Sequence, residues 1–188
     1  MSQPVLQVLI ASTRPGRVGP AVAAWFVDLA REHGAFEVDL VDLAELDLPF
    51  MDEPNHPRLR AYTHDHTKAW SERVDRADAF VFVMPEYNYS YTAPLKNAMD
   101  YLHEEWKHKP ISFVSYGGIS AGLRAVQAIK QVTSTLSMTS TQAAVPIPFV
   151  ASHLDDEGRF QGTDIMRDGA RATLEELLRL HGALSTLR

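Results

Sequence analysis

Apolar stretches and polar breaks alternate along this chain, and their periods predict its elements. Val5 to Ala11 is nearly all apolar, as a strand covered on both faces should be. A helix is predicted from about Pro20 to His33. Pro20 suits a first turn, where no amide hydrogen is needed, and Gly34 stops the run. Trp25, Phe26 and Leu29 of this helix read as core. In Phe36 to Val41, apolar and acidic residues alternate, which predicts an edge strand with one wet face. Residues 43 to 66 contain Pro49, Pro54 and Pro57 and read as a long irregular stretch. A helix from about Thr67 to Arg76 leads into Ala79 to Met84, a buried strand. Leu95, Ala98, Met99, Leu102 and Trp106 recur at helical spacing and predict a helix from about Pro94 to Trp106. A strand over Ile111 to Tyr116, a helix from about Ala121 to Leu136 and a fifth strand near Thr139 to Val145 follow. A loop with Pro146, Pro148 and Asp155-Asp156-Glu157-Gly158 leads to a last helix, from about Asp164 to His181.

Strand and helix alternate five times, without internal repeat or low-complexity linker. That is the pattern of a doubly wound α/β domain, a parallel sheet with helices on both faces. An edge-like second strand favours the flavodoxin-like order 2-1-3-4-5, whose switch point lies between strands one and three. The loops flanking that point are residues 12–19 and 85–91. Ligands of open α/β sheets bind at such a place.

At 188 residues the chain is expected to form a single domain. The net charge of −6 argues against nucleic acid or an anionic membrane as partner, since both attract clustered Lys and Arg. Cys is absent, which rules out a disulfide framework, a thiolate metal site and a cysteine nucleophile. A reducing cytosol fits, and a cytoplasmic location is the expectation. Met1-Ser2-Gln3-Pro4 lacks the basic and apolar regions of a signal peptide. No apolar run approaches the roughly 20 residues of a membrane span.

The first loop carries Ser12, Thr13, Arg14, Arg17, Val18 and Gly19 just before a helix. Free amide hydrogens and the helix dipole favour an anion there, and hydroxyls and guanidiniums add charge-assisted bonds to a phosphate. The second loop, Pro85-Glu86-Tyr87-Asn88-Tyr89-Ser90, offers backbone groups, an amide and flat rings. It suits a planar heterocycle better than a metal or a nucleophile. Other motifs are weaker. There is no G-x-G-x-x-G after strand one, and Gly117 to Gly122 has Walker-like spacing but ends in Leu123-Arg124. Gly118-x-Ser120-x-Gly122 matches the nucleophile elbow of serine hydrolases, with Asp155 or Asp164 and His181 downstream. The chain is short for that fold and lacks an oxyanion-loop glycine cluster, so a hydrolase is the remote alternative. His64-Asp65-His66 has no evident third ligand and reads as solvated loop. Tyr91 reads as core or interface.

Taken together, these loops resemble the NAD(P)H-dependent FMN reductase family, which includes quinone, chromate and azo reductases. The parts are Ser12-Thr13-Arg14-Pro15-Gly16-Arg17, Pro85-Glu86-Tyr87-Asn88-Tyr89-Ser90, Leu95-Lys96-Asn97-Ala98-Met99-Asp100 and Ser115-Tyr116-Gly117-Gly118. The resemblance spans Val5 to about Leu136. It implies that Ser12, Arg14 and Arg17, with the Val18 and Gly19 amides, hold the FMN phosphate. Pro85 to Asn88 would lie along the flavin ring, with Tyr89 and Ser90 completing that loop and Ser115 to Gly118 closing the other side. NADPH or NADH would be the hydride donor, in a ping-pong cycle ending on a small-molecule acceptor such as a quinone. Where the family often has Pro-Gly before Leu-Lys-Asn-Ala, this chain has Thr92-Ala93-Pro94, so acceptor preference is the least transferable property. A non-enzymatic electron carrier or flavin sensor of the same fold is the alternative. No residue is named as catalytic.

The apolar stripe Leu95, Met99, Leu102 and Trp106, widened by Tyr101, predicts surplus apolar surface beside Leu123, Val126, Ile129, Val132 and Leu136. Closed pairing is the commonest way to bury such surface. The expectation is a homodimer, which in similar reductases sometimes pairs again into a tetramer.

Overall fold

Six consecutive buried residues, Val5–Ile10, form β1 at the centre of the sheet. In the computed structural model residues 3–188 are described, so Met1 and Ser2 of the amino-terminal reading lie outside it. Helix α1 (Gly19–His33) follows, and Gly34 ends it in the left-handed region at φ 73°. Then come β2 (Glu37–Asp42), the short α2 (Leu43–Leu46), α3 (Asp65–Arg76) and β3 (Ala79–Pro85). The second half runs α4 (Ala93–Asp100), β4 (Pro110–Tyr116), α5 (Leu123–Thr135), β5 (Thr139–Ser140), β6 (Val145–Ile147) and α6 (Asp164–Leu184). All strand pairings are parallel, in the order β2-β1-β3-β4-β5, with β6 also on β4. This is the expected flavodoxin-like order.

Alternating side chains of the central strands feed two cores. Phe80, Phe82 and Met84 face Trp70 of α3, Leu95 and Met99 of α4 and Ile129 of α5. Ala79, Val81 and Val83 face Phe26 of α1 and Leu174 and Leu177 of α6. Helices therefore cover both faces, as a parallel sheet requires.

Four expectations are corrected. The fifth strand is two short pieces, because residues 141–144 leave the ladder between them. The helix predicted over Pro94 to Trp106 stops at Asp100, and Glu104–Trp106 is a separate 3-10 turn. The helical spacing of Leu102 and Trp106 reflects packing into one core, not one continuous helix. That same stripe is not a surface: Leu95, Met99, Tyr101 and Trp106 are 0% exposed and Leu102 1%. The apolar surplus inferred from it does not exist, because the monomer's own core takes it up. Finally, β2 is the expected edge strand and its Glu37 is exposed, but Asp39 is covered. Asp39 is paired with Arg73 of α3 at 2.7 Å and accepts from the buried Gln7 of β1 at 3.1 Å. Within residues 43–66, α2 and a 3-10 turn at Pro57–Leu59 give the irregular stretch some order. Among the described residues, no helix is long and apolar enough to cross a membrane.

Candidate active site

β1 and β3 end side by side, and the chain order makes their carboxyl ends the switch point. After β1, the loop of residues 12–19 is anchored from below and open above. Ser12 is buried, and its Oγ lies 3.2 Å from the Tyr116 hydroxyl at the end of β4. Gly19 packs against both. A Cβ there would lie 2.4 Å from Ser12 Oγ and 2.9 Å from the Tyr116 hydroxyl, so only glycine allows this approach. Thr13 and Arg14 are exposed, and Arg14 makes no ion pair among the described residues. No side chain caps α1, whose N-cap residue is Val18. The first amides of that helix are thus left for an anion.

Arg17 borders the same loop site, but it is already paired within the protein. Its two terminal nitrogens donate to both oxygens of Asp42, at 2.5 and 2.6 Å, and one also donates to the Ser12 carbonyl at 2.6 Å. Burial alone would raise the Asp42 carboxyl. The Arg17 guanidinium and the Ala44 amide outweigh it and hold the group below its ordinary value. Arg17 is correspondingly raised, chiefly by its bond to Asp42.

After β3, the Tyr87 amide donates to the Ser90 carbonyl at 2.8 Å and the Ser90 amide donates back at 2.9 Å. The two residues between, Asn88 and Tyr89, both have positive φ, 49° and 69°. This is the geometry of a type I′ turn, natural for Asn and strained for a bulky ring. Tyr89 is held by Arg124 of α5, whose guanidinium lies 3.8 Å from the ring centroid. The same guanidinium pairs with Glu86, which also accepts from the Ser120 hydroxyl at 2.9 Å. Burial pushes the Glu86 carboxyl up, but the Arg124 and Ser120 bonds together hold it below the usual range. Thr92, the N-cap of α4, donates to the Ala11 carbonyl at 2.6 Å and ties the two loops together.

These loops enclose two adjoining cavities that share Glu86 and Gly117. One, of about 240 Å³, is bounded by Ser12, Arg14, Arg17 and Val18 on one side and by Pro85, Tyr87 and Tyr116 on the other. The second, of about 410 Å³, is bounded by Asn88, Tyr89, Gly118, Ser120 and Arg124. Twelve of the residues expected from sequence therefore line one or other cavity. Thr13, Gly19, Ser90 and Ser115 do not. Ser115 donates to the Ala121 carbonyl at 2.8 Å and shapes the turn before α5. Its partner in that turn is Gly122, at φ 78°, where a Cβ would lie 2.7 Å from the Tyr116 nitrogen. Burial pushes the Tyr116 phenol up to about 12, so it stays a neutral donor.

Sequence reasoning missed Asp42, Arg124, and the wall formed by Val150 and Ala151. Asp42 was findable: an acid at the end of the strand beside β1 falls opposite the first loop's arginines. Nothing in the sequence pointed to Val150, which is placed when its amide donates to the Gly117 carbonyl at 3.2 Å. A larger cavity, of about 610 Å³, lies against the outer face of α1 around Trp25 and Phe160. It shares no residue with either loop of the switch point.

Ser120 has no histidine. Its hydroxyl bonds Glu86 at the carboxyl end of the sheet, whereas His181 lies 3.8 Å from Asp78, just before β3 at the opposite end. The elbow match therefore carries no triad. His64 and His66 stack at 5.1 Å, with His66 3.0 Å from Asp52. Among the described residues no group of three or more His, Cys, Asp or Glu is arranged to hold a metal.

The donor set fits a phosphate monoester on an uncapped helix start beside Arg14, joined to a flat ring system along Pro85, Tyr87 and Gly117. Comparison with known proteins gives the family. The sequence model of the family described as NADPH-dependent FMN reductase matches residues 5–151. An NAD(P)H-dependent FMN reductase of Schizosaccharomyces pombe is 40% identical over 149 residues, covering 77% of this chain and 74% of that protein. One from Saccharomyces cerevisiae is 33% identical over 153 residues, covering 75% and 80%. Among solved structures, the flavoenzyme NAD(P)H:(acceptor) oxidoreductase FerB of Paracoccus denitrificans superposes with a TM-score of 0.75 at 18% identity, covering 96% of this chain and 98% of that one. That likeness supports the fold.

Proposed function

The chain belongs to the NADPH-dependent FMN reductase family and is an oxidoreductase of FMN and NAD(P)H, and we propose that it passes reducing equivalents in a ping-pong cycle to a quinone, flavin, azo or metal-oxyanion acceptor. The observation that carries this reading is the junction at the switch point. An uncapped helix start with an unpaired Arg14 opens onto a wall of Pro85, Tyr87 and Tyr116.

When bound, FMN would supply the redox chemistry, accepting a hydride from the nicotinamide and passing reducing equivalents to the acceptor. The protein's own residues bind and orient. Arg14, the Ser12 and Thr13 region and the Val18 and Gly19 amides hold the phosphate. Pro85 to Asn88 flank the ring on one side, and Tyr116 to Gly118 close the other, with Tyr89 and Ser90 fixing the turn. Ser115 acts on this wall through the Ala121 carbonyl. The second cavity, beneath Tyr89 and beside Ser120, is the place for nicotinamide and acceptor in turn. A shared site for both fits a ping-pong order, in which the nicotinamide leaves before the acceptor enters.

The reading extends to organisation. The chain is one flavodoxin-like domain over residues 1–188, working in the cytoplasm as a homodimer, with a tetramer as the alternative assembly. Support for assembly comes from exposed apolar side chains: Tyr89 (69% exposed) and Ile119 (83%) border the second cavity, and Leu123 (48%) begins α5. Steady-state oxidation of NADPH and NADH tests the function. Turnover should require FMN and a quinone, with parallel double-reciprocal lines. FMN binding without turnover would favour an electron carrier.

A further inference from the structure

We propose that Asp42, at the end of β2, is a positioning residue for the FMN phosphate, acting through Arg17. The inference rests on the reading of the first loop as the phosphate site, and deepens it. Three of the five guanidinium N–H groups of Arg17 are already used, two on the Asp42 carboxylate and one on the Ser12 carbonyl, so its first commitment is to the protein. The pair is well covered, with side chains 18% and 11% exposed. A covered bidentate pair is directional and resists being opened.

Asp42 lies opposite Ile10 in the parallel ladder, so β2 fixes the carboxylate one loop away from the end of β1. Its Oδ1 also accepts from the Ala44 amide at 3.0 Å, which prevents the carboxylate from turning. Arg17 in turn bonds the Ser12 carbonyl, and Ser12 meets Tyr116 above Gly19. The chain β2–Asp42–Arg17–Ser12 is therefore a strut beneath the loop. It sets the path of residues 12–17 and so the direction of the amides at Val18 and Gly19. It also cancels the Arg17 charge locally and leaves Arg14 as the loop's unpaired cation. A carboxylate so near a phosphate site would repel the ligand if Arg17 did not hold it.

Two roles for Arg17 predict opposite signs at Asp42. As a strut, Asp42→Asn loosens the loop and weakens FMN. As a direct phosphate ligand, Arg17 would be released by Asp42→Asn, and FMN would bind as well or better. Asn keeps the Ala44 cap, so the substitution isolates the ion pair. The measurement is fluorescence titration of FMN and of riboflavin, which lacks the phosphate, with circular dichroism and melting to confirm folding. The strut predicts that Asp42→Asn, Arg17→Ala and Arg17→Lys each weaken FMN by roughly tenfold, the scale of one charge-assisted bond. Riboflavin should change little, and the Asp42→Asn/Arg17→Ala double variant should be no worse than the weaker single. Lys restores the charge without the fork, so its failure to rescue separates shape from charge. Wild-type or tighter FMN binding in Asp42→Asn overturns the inference and leaves the phosphate loop standing. A wild type that binds FMN no better than riboflavin overturns the phosphate loop itself, and the strut with it.

Discussion

The Arg124 guanidinium stacks on the Tyr89 ring at 3.8 Å while pairing with the Glu86 carboxylate. One side chain thus holds both ends of the turn after β3, including the residue whose backbone is strained at φ 69°. The Arg124 side chain is 41% exposed, so solvent screens the pair and its worth is modest. Replacing Arg124 with Ala should lower the melting temperature only slightly, through the lost stacking and pairing. The larger effect should be on KM for the quinone, because Tyr89 is no longer held over the second cavity. Lys should not restore it, since the planar stack is lost. Unchanged melting and unchanged KM would remove the turn-holding role.

Gly19 is predicted to be irreplaceable for packing reasons alone. A Cβ would press on Ser12 Oγ and the Tyr116 hydroxyl, and Ile10 Cγ2 lies only 3.1 Å away. Gly19→Ala should lower stability by about 1–3 kcal/mol, the usual cost of overpacking, and weaken FMN. Adding Ser12→Ala should recover part of the stability but not the affinity. Denaturant unfolding with flavin titration reads both. A Gly19→Ala protein with wild-type stability would contradict the packing.

Much of this was legible in sequence because period and punctuation agree with the fold. The runs of β1, β3 and β4 announced buried strands, and Gly34 closed α1 where expected. The order of strands followed from the acidic alternation of Phe36 to Val41, although Asp39 turned out to be covered by Arg73. Helical spacing misled at Leu102 and Trp106. Spacing reports which residues share a core, and it does not require that one helix carry them all. In the site, loops 12–19 and 85–91 were found because they follow strands. The pairing of Arg17 was not legible because its partner, Asp42, is distant in sequence. Arg124 was passed over because stacking on Tyr89 leaves no local signature.

Acid stability should depend on Glu53. Its carboxylate accepts from the Thr63 and His64 amides at 2.8 and 3.0 Å and pins the long loop to the start of α3. Burial raises this group, but those bonds together lower it from 4.5 to about 2. A depressed folded value means that the unfolded chain binds more protons, so stability is present above 4.5 and is lost as pH falls towards 2. Glu53→Gln should therefore flatten the melting temperature against pH across that window. An acid limb of unchanged steepness would refute the assignment.

The buried stripe changes how assembly is tested. Leu102 is 1% exposed, so Leu102→Asp should prevent folding and says nothing of pairing. Leu123 is 48% exposed at the start of α5, and Leu123→Asp should leave melting nearly unchanged while shifting light-scattering mass towards the monomer. A wild type that is monomeric at working concentration would contradict the homodimer.

FMN is expected at the junction of the uncapped α1 and the Pro85–Ser90 loop. The phosphate site ends directly at a helix start, and no second dinucleotide motif is present to take the adenylate of FAD. The most direct test is fluorescence titration of the protein with FMN, FAD and riboflavin, with mass spectrometry of any flavin released on purification. The account predicts one FMN per chain, bound more tightly than FAD or riboflavin, and weakened about 10- to 150-fold by Arg14→Ala with folding intact, as loss of a bond to a charged group implies. Release of FAD alone, absence of flavin binding, or wild-type affinity in Arg14→Ala would contradict it.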